Sequence, residues 1–184
     1  MVQGSCLGPI LFTIFINDID TAVDTVNSVM SKFADDTKWG KIVEGEQDKN
    51  SFQEGINNLV KWSKDWQMMF NVDKCHIMHL GPNNKYKYTM EGEELEVSAY
   101  EKDIGVIIDS SLKPSLQCLK AAKKANSVLA QLSRAVSYRD KDTFLHLFRT
   151  YVRPHLEYCS AAWCPWTKTD KEVLEKVQKR AWEW

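Results

Sequence analysis

Two carboxylates stand side by side at Asp35 and Asp36, in the segment KFADDTKWG of residues 32–40. Adjacent acids between an apolar run and a lysine admit two readings. Asp is a favoured turn residue, so the pair can be a polar turn between two strands. The same pair can offer hard oxygen ligands to a metal that serves phosphoryl transfer. Two other stretches carry residues suited to such chemistry. VQGSCLGPILF, residues 2–12, is a Gly-punctuated turn opening a helix, where backbone can closely approach a flat or anionic ligand. FNVDKCHIMHLG, residues 70–81, sets Asn, Asp and Lys between a helix end and a strand. The Cys75-His76-x-x-His79 run is a poor zinc candidate. On a strand Cys75 and His79 share a face with His76 opposite, and a structural zinc usually takes four ligands. His155, Cys159 and Cys164 also lack a fourth ligand.

The elements that must position these residues follow from periodicity. LGPILFTIFINDI is apolar at helical spacing, with Pro9 tolerated in a first helical turn. SVMSKFAD alternates as a strand, DD supplies a turn, and TKWGKIV alternates again, which predicts a β-hairpin. Over residues 47–70, Phe52, Ile56, Leu59, Val60, Trp62, Trp66 and Phe70 share a largely common face, which predicts one long amphipathic helix. Trp62 and Trp66 are then core residues. Short strands are expected in CHIMHLG, YKYTM, LEVSA and DIGVIID, with a turn at EGEE. From Pro114 the pattern is helical: LQCLKAAKKANSVLAQLSRAV, TFLHLFRTYV, a restart at Pro154, and DKEVLEKVQKRAWEW. A break near residues 110–114, within DSSLKP (109–114), marks the best domain boundary. The fold class is α+β, with an all-helical C-terminal part.

Bulk properties narrow the class. The 184 residues suffice for one full domain or one domain with a small appendage, and a 43% apolar, 27% charged chain is globular in composition. No run approaches the roughly 18 apolar residues of a membrane span. Nothing reads as a signal peptide. Five scattered cysteines suit a reducing compartment, so the chain reads as intracellular, nuclear or cytoplasmic, and not secreted. A net charge of −1 hides an asymmetry. Residues 1–112 carry 10 basic and 18 acidic side chains, whereas residues 113–184 carry 14 and 7. Such a split hints at cation business in the first part and polyanion contact in the second, although solvated helical faces produce the same pattern.

The motifs in order resemble a known family, the reverse transcriptases of LINE-type (non-LTR) retrotransposons, in particular the Jockey-like group. QGSCLGPILFTIFINDI resembles that family's Q-G-S-x-L-G-P segment and its helix, and FADD at 33–36 its catalytic hairpin. KW at 61–62 and FNVDKC at 70–75 are similar to the following helix and its Asn-x-x-Lys end. EKDIGVIIDSSL at 101–112 resembles the block closing the palm. AAKKAN at 121–126 and YVRPHLEYCSAAWCPW at 151–166 resemble the helical thumb.

The resemblance implies a partial polymerase palm over residues 1–112 and a helical thumb-like region over 113–184. It implies RNA-directed DNA polymerisation with Mg²⁺, on an RNA template and a DNA primer, in the parent enzyme. Asp35 would be a direct metal ligand and Asp36 a weaker one pointing elsewhere. Gln3, Gly4 and Ser5 would line the template base and incoming nucleotide. Lys74 would assist pyrophosphate departure as a point charge, and helices bearing Lys123 and Lys124 would grip the primer–template backbone. Trp163, Trp166, Trp182 and Trp184 are candidate base-stacking residues, the last two also candidates for surface covered in a longer parent. Two departures qualify this. The chain begins where the family enters Q-G-S, without the upstream fingers and the palm strand with a further catalytic aspartate, and Val2 replaces the usual proline. The expectation is a palm-and-thumb portion that binds Mg²⁺ weakly or not at all, does not polymerise alone and self-associates through an exposed palm edge. The alternatives are a non-catalytic module binding nucleic acid or protein, and a translated remnant without function.

Overall fold

A computed structural model describes residues 5–23, 27–81, 86–137 and 140–182. The chain divides into two compact units, Met1–Val97 and Ser98–Trp184, each with its own core. The α+β class holds.

In the first unit, helix α1 (Gly8–Ile16) begins where the sequence places a proline it can tolerate. Ser5 Oγ accepts the Gly8 N–H at 3.0 Å and so supplies one of the partners that the first turn lacks. A 3₁₀ turn, Asn17–Ala22, follows directly. The β1 strand (Ser28–Phe33) and β2 (Asp36–Lys41) form an antiparallel hairpin in the register Phe33↔Asp36, Lys32↔Thr37, Met30↔Trp39. The turn is therefore Ala34-Asp35, not Asp35-Asp36: the second aspartate already sits in the ladder. Two-residue hairpin loops require positive φ at their first central position, and Ala34 adopts φ 52° there.

Helix α2 (Glu46–Asp65) is the hub of this unit. Leu59 and Trp62 join Ile16, Ile19 and Val23 in one cluster, while Ile56 joins Tyr88, Met90 and Leu95 in another. Trp39 from β2 packs against both. Its ring stacks on Phe52 with centroids 4.4 Å apart, directly over Gly55. The helix ends earlier than its apolar periodicity predicts. Gln67 turns left-handed at φ 55° and Met68 N–H returns to Ser63 O at 2.8 Å, a common way to close a helix C-terminus. Phe70 thus reaches the core from beyond the helix, and Trp66, expected in the core, is 44% exposed, its ring at right angles to that of Phe15.

The expected short strands are shorter still. After a 3₁₀ turn at Val72–Lys74 come β3 (His76–Ile77), β4 (Thr89–Met90), β5 (Glu93–Glu94) and β6 (Glu96–Val97). The β3 strand pairs parallel with β6, and β4 antiparallel with β5 around the left-handed Glu91-Gly92. Of the predicted EGEE turn, the two final glutamates are strand.

The second unit opens with a hairpin, β7 (Tyr100–Asp103) and β8 (Val106–Asp109). DIGVIID is accordingly not one strand, because Ile104 and Gly105 both have positive φ and form the turn. Lys120 Nζ donates to Gly105 O at 2.7 Å and Tyr158 OH to Ile104 O at 3.0 Å, which ties this turn to the helices. By packing, the hairpin belongs with the helices that follow it. Helix α3 (Ser115–Ala135) turns Ala122, Ala125 and Leu129 toward Val152, Leu156, Val177 and Ala181. Its small residues let the neighbouring helices approach closely. Helix α4 (Lys141–Leu147) is capped by Asp140, whose carboxylate accepts the N–H groups of Asp142 and Thr143. A π-helical turn, Phe148–Val152, then leads into α5 (Arg153–Glu157). Pro154 has no N–H to offer the carbonyl four residues earlier, and the adjacent Arg153 N–H reaches back to Phe148 O instead. Short α6 (Ser160–Trp163) and long α7 (Lys168–Trp182) complete the unit. Buried Asp170 accepts hydrogen bonds from Ser115 Oγ and Thr167 Oγ1, joining the starts of α3 and α7.

Candidate active site

The β1–β2 hairpin presents the paired aspartates. Alternation along β1 turns Met30 and Lys32 toward the core and leaves Val29, Ser31 and Phe33 outward. Asp35 lies in the turn itself and Asp36 opposite Phe33, and both are exposed. Neither carboxylate has a hydrogen-bond or ion-pair partner among the described residues. Two unengaged carboxylates on a tight turn suit a hard cation that keeps waters and phosphate oxygens in its shell. They are also an incomplete set, since among the described residues no three His, Cys, Asp or Glu side chains converge on a metal-sized space. Bound there, Mg²⁺ would polarise a phosphoryl oxygen and neutralise developing charge.

The remaining candidates are placed as follows. Gln3 and Gly4 lie outside the described residues. Ser5 is exposed, and its hydroxyl is engaged at the start of α1. Lys74 closes the 3₁₀ turn after Asn71, whose carbonyl accepts both the Lys74 N–H at 3.0 Å and the Cys75 thiol at 3.3 Å. That turn leaves the Lys74 side chain exposed, with no hydrogen bond or ion pair to Asp35 or Asp36. Lys123 and Lys124 lie in α3 of the second unit, exposed beside the buried Ala121, Ala122 and Ala125.

Among the tryptophans, Trp163 is corrected. It is buried, and its indole N–H donates to Tyr158 O at 2.8 Å, so it is core and not a stacking platform. Trp166 and Trp182 are 69% and 71% exposed, while Trp184 lies outside the described residues. All five cysteines are free thiols. Burial first, then the Asp170 and Cys164 charges, push the Cys118 thiol up to about 11.

Two residues in the site's support were not legible as such. Lys32 Nζ donates to Asn17 O at 3.0 Å and to Asp20 Oδ2 at 2.9 Å, binding the hairpin to the 3₁₀ turn beneath it. Asp18 accepts the Trp62 indole N–H at 3.2 Å, which fixes the same turn to α2. Strand alternation marks Lys32 as inward-facing, but its partners twelve and more residues away carry no sequence signal.

The reverse transcriptase (RNA-dependent DNA polymerase) family matches the chain over residues 1–137. The chain is 22% identical over 170 residues to the RNA-directed DNA polymerase from mobile element jockey of Drosophila melanogaster. It is 26% identical over 172 residues to the protein of the same name from Drosophila funebris. Each alignment covers 85% of this chain and 18% of the relative, so the chain spans less than a fifth of the curated relatives it matches. No solved structure matches. The family match spans α1, the Asp35 hairpin, α2 and α3, well over half of the chain, and on that ground the chain belongs to the reverse transcriptase family.

Proposed function

We propose that the chain is the palm (1–112) and thumb-like (113–184) portion of an RNA-directed DNA polymerase from a LINE-type mobile element. The observation that carries this reading is Asp35, exposed and without a side-chain partner among the described residues, in a two-residue hairpin turn within the stretch matched by the family. Asp35 serves as a metal ligand, with Asp36 a weaker contributor. Lys74 stands as the point charge for the departing pyrophosphate, while Gln3, Gly4 and Ser5 line the template base and nucleotide. Lys123 and Lys124 contact nucleic-acid backbone, so affinity falls as salt rises. Two carboxylates alone cannot cradle two metal ions and a triphosphate, so nucleotide transfer needs donors from another polypeptide segment. Among the described residues the β1–β2 sheet has two strands and two open edges, with Val29 and Phe33 exposed on its outer face, which favours self-association there. Among the described residues no helix is long and apolar enough to cross a membrane. Five free thiols favour a reducing, intracellular setting.

A second reading, nucleic-acid binding without catalysis, draws on the exposed Lys123 and Lys124, which have no ion-pair partner among the described residues. Primer extension with Mg²⁺ on an RNA template separates the two. The chain alone is expected to be silent. Mixed with an upstream fingers–palm fragment of a jockey-type polymerase, it should extend the primer, and Asp35→Ala should reduce extension by about a hundredfold or more. Extension indifferent to Asp35→Ala removes the metal-ligand role. Silence in every mixture, with salt-sensitive duplex binding retained, leaves the binding reading.

A further inference from the structure

A two-stranded hairpin is marginal by itself, and this one carries Ala34 in a left-handed conformation that only Gly adopts without cost. Something else must hold its tip. The apolar contacts of the hairpin lie farther back, at Met30 and Trp39, which pair with each other and pack on the Ile19–Trp62 cluster. Toward the tip the last inward pair is Lys32 and Thr37, followed only by Phe33↔Asp36 and the turn. Phe33 points outward and is 60% exposed, so it anchors nothing below.

Lys32 reaches down from this end. Its side chain is 20% exposed, and its ammonium is held by a backbone carbonyl, Asn17 O, and a carboxylate, Asp20 Oδ2. Both acceptors belong to the Asn17–Ala22 turn. That turn is itself fixed, by fully buried Ile19 and by the Trp62 indole bonded to Asp18. A continuous path therefore runs from α2 through Trp62, the 3₁₀ turn and Lys32 to the residues flanking Asp35.

We propose that Lys32 is the positioning residue for Asp35: by bonding the hairpin tip to the Asn17–Ala22 turn, it fixes where the Asp35 carboxylate can meet a metal ion. This rests on the metal-ligand role of Asp35 proposed above. A lysine suits the task because two oxygens from different residues must be satisfied by one group at the end of a flexible stem. Arginine can serve both acceptors as well, whereas methionine keeps the stem and loses both bonds.

The test uses the full chain with Lys32→Met, Lys32→Arg, Asp20→Asn and Asp35→Ala. Amide hydrogen exchange over residues 31–38 is compared with exchange in α2, and Mn²⁺ binding is followed by electron paramagnetic resonance in the chain mixed with the upstream fingers–palm fragment, which supplies the donors that two carboxylates lack. Lys32→Met is expected to accelerate exchange at the hairpin about fivefold while α2 is unchanged, the scale expected for a partly exposed ion pair. It should also raise the Mn²⁺ concentration for half-saturation severalfold, with Lys32→Arg restoring both and Asp20→Asn reproducing part of the loss. Three outcomes overturn the proposal: hairpin exchange like that of the unaltered chain, equal acceleration in the hairpin and α2, or loosened hairpin amides with Asp35-dependent Mn²⁺ binding unchanged. Where Asp35→Ala itself leaves Mn²⁺ binding untouched, the metal-ligand reading fails. The exchange comparison then still decides whether Lys32 holds the tip.

Discussion

At the scale of single residues, the first unit depends on one missing side chain. Gly55 lies in the middle of α2, where glycine costs helix stability, yet a Cβ there would come within 2.1 Å of the Trp39 ring. The ring cannot yield easily, because Phe52 is stacked on it and the strand that carries it is paired along its length. Gly55→Ala is therefore expected to destabilise the chain by about 1–3 kcal/mol, the range for overpacking, despite the better helix propensity of alanine. Urea denaturation followed by tryptophan fluorescence measures this, and a stabilised Gly55→Ala chain would show that Trp39 moves aside. The acids of INDID behave differently from those of FADD at this same scale. Asp18 and Asp20 are engaged by Trp62 and Lys32, whereas the Asp35 and Asp36 carboxylates have no partner among the described residues. Identical residue types are structural in one motif and available in the other.

At the scale of elements, Asp140 illustrates how a cap links to pH. Its carboxylate accepts hydrogen bonds at the start of α4, and the Thr143 side-chain and backbone donors, ahead of Asp142, hold its pKa below the ordinary 3.8. A carboxyl with a depressed folded-state pKa stabilises the fold above its unfolded value, and loses that contribution as pH falls through the folded one. The contribution of α4 should accordingly be constant near neutrality and vanish only in acid below the usual carboxylate range. Asp140→Ala should lower thermal stability at pH 7 and leave it nearly unchanged at pH 2, as read by circular dichroism. A difference that persists unchanged at pH 2 would assign the effect to packing. Periodicity located α2 and α3 well, because each has a strong apolar stripe. It overran the end of α2, since the left-handed turn at Gln67 is a local choice that no glycine announces. It also ran β8 back through the Ile104-Gly105 turn and missed β7, although Gly105 marks the turn.

At the scale of the whole chain, the two units have separate cores: Ile16, Ile19, Leu59 and Trp62 with Ile56, Tyr88 and Leu95 in one, Ala125, Leu129, Val152 and Val177 in the other. A chain limited to residues 98–184 is expected to fold alone, with helical circular dichroism and a cooperative thermal transition. A fragment that melts without cooperativity would show that its core needs residues from the first unit. The division falls before the β7–β8 hairpin. Contact, rather than the change to helical periodicity at Pro114, draws it there: Val106 packs with Cys118, Ala121 and Trp163. The same packing accounts for the Cys118 thiol, whose pKa burial pushes up to about 11.

The sequence by itself determined the α+β class, the hairpin bearing Asp35, the two long helices and the family resemblance. Each of these is written in local periodicity or in a short ordered motif. Only the tertiary structure decided that Trp163 is core while Trp66 is half open, that Gly55 exists for Trp39, and that Lys32 and Asp20 meet under the hairpin. Those are encounters between residues distant in the chain. Burial and pairing at such sites depend on where whole elements come to rest, and no spacing within a single segment specifies that.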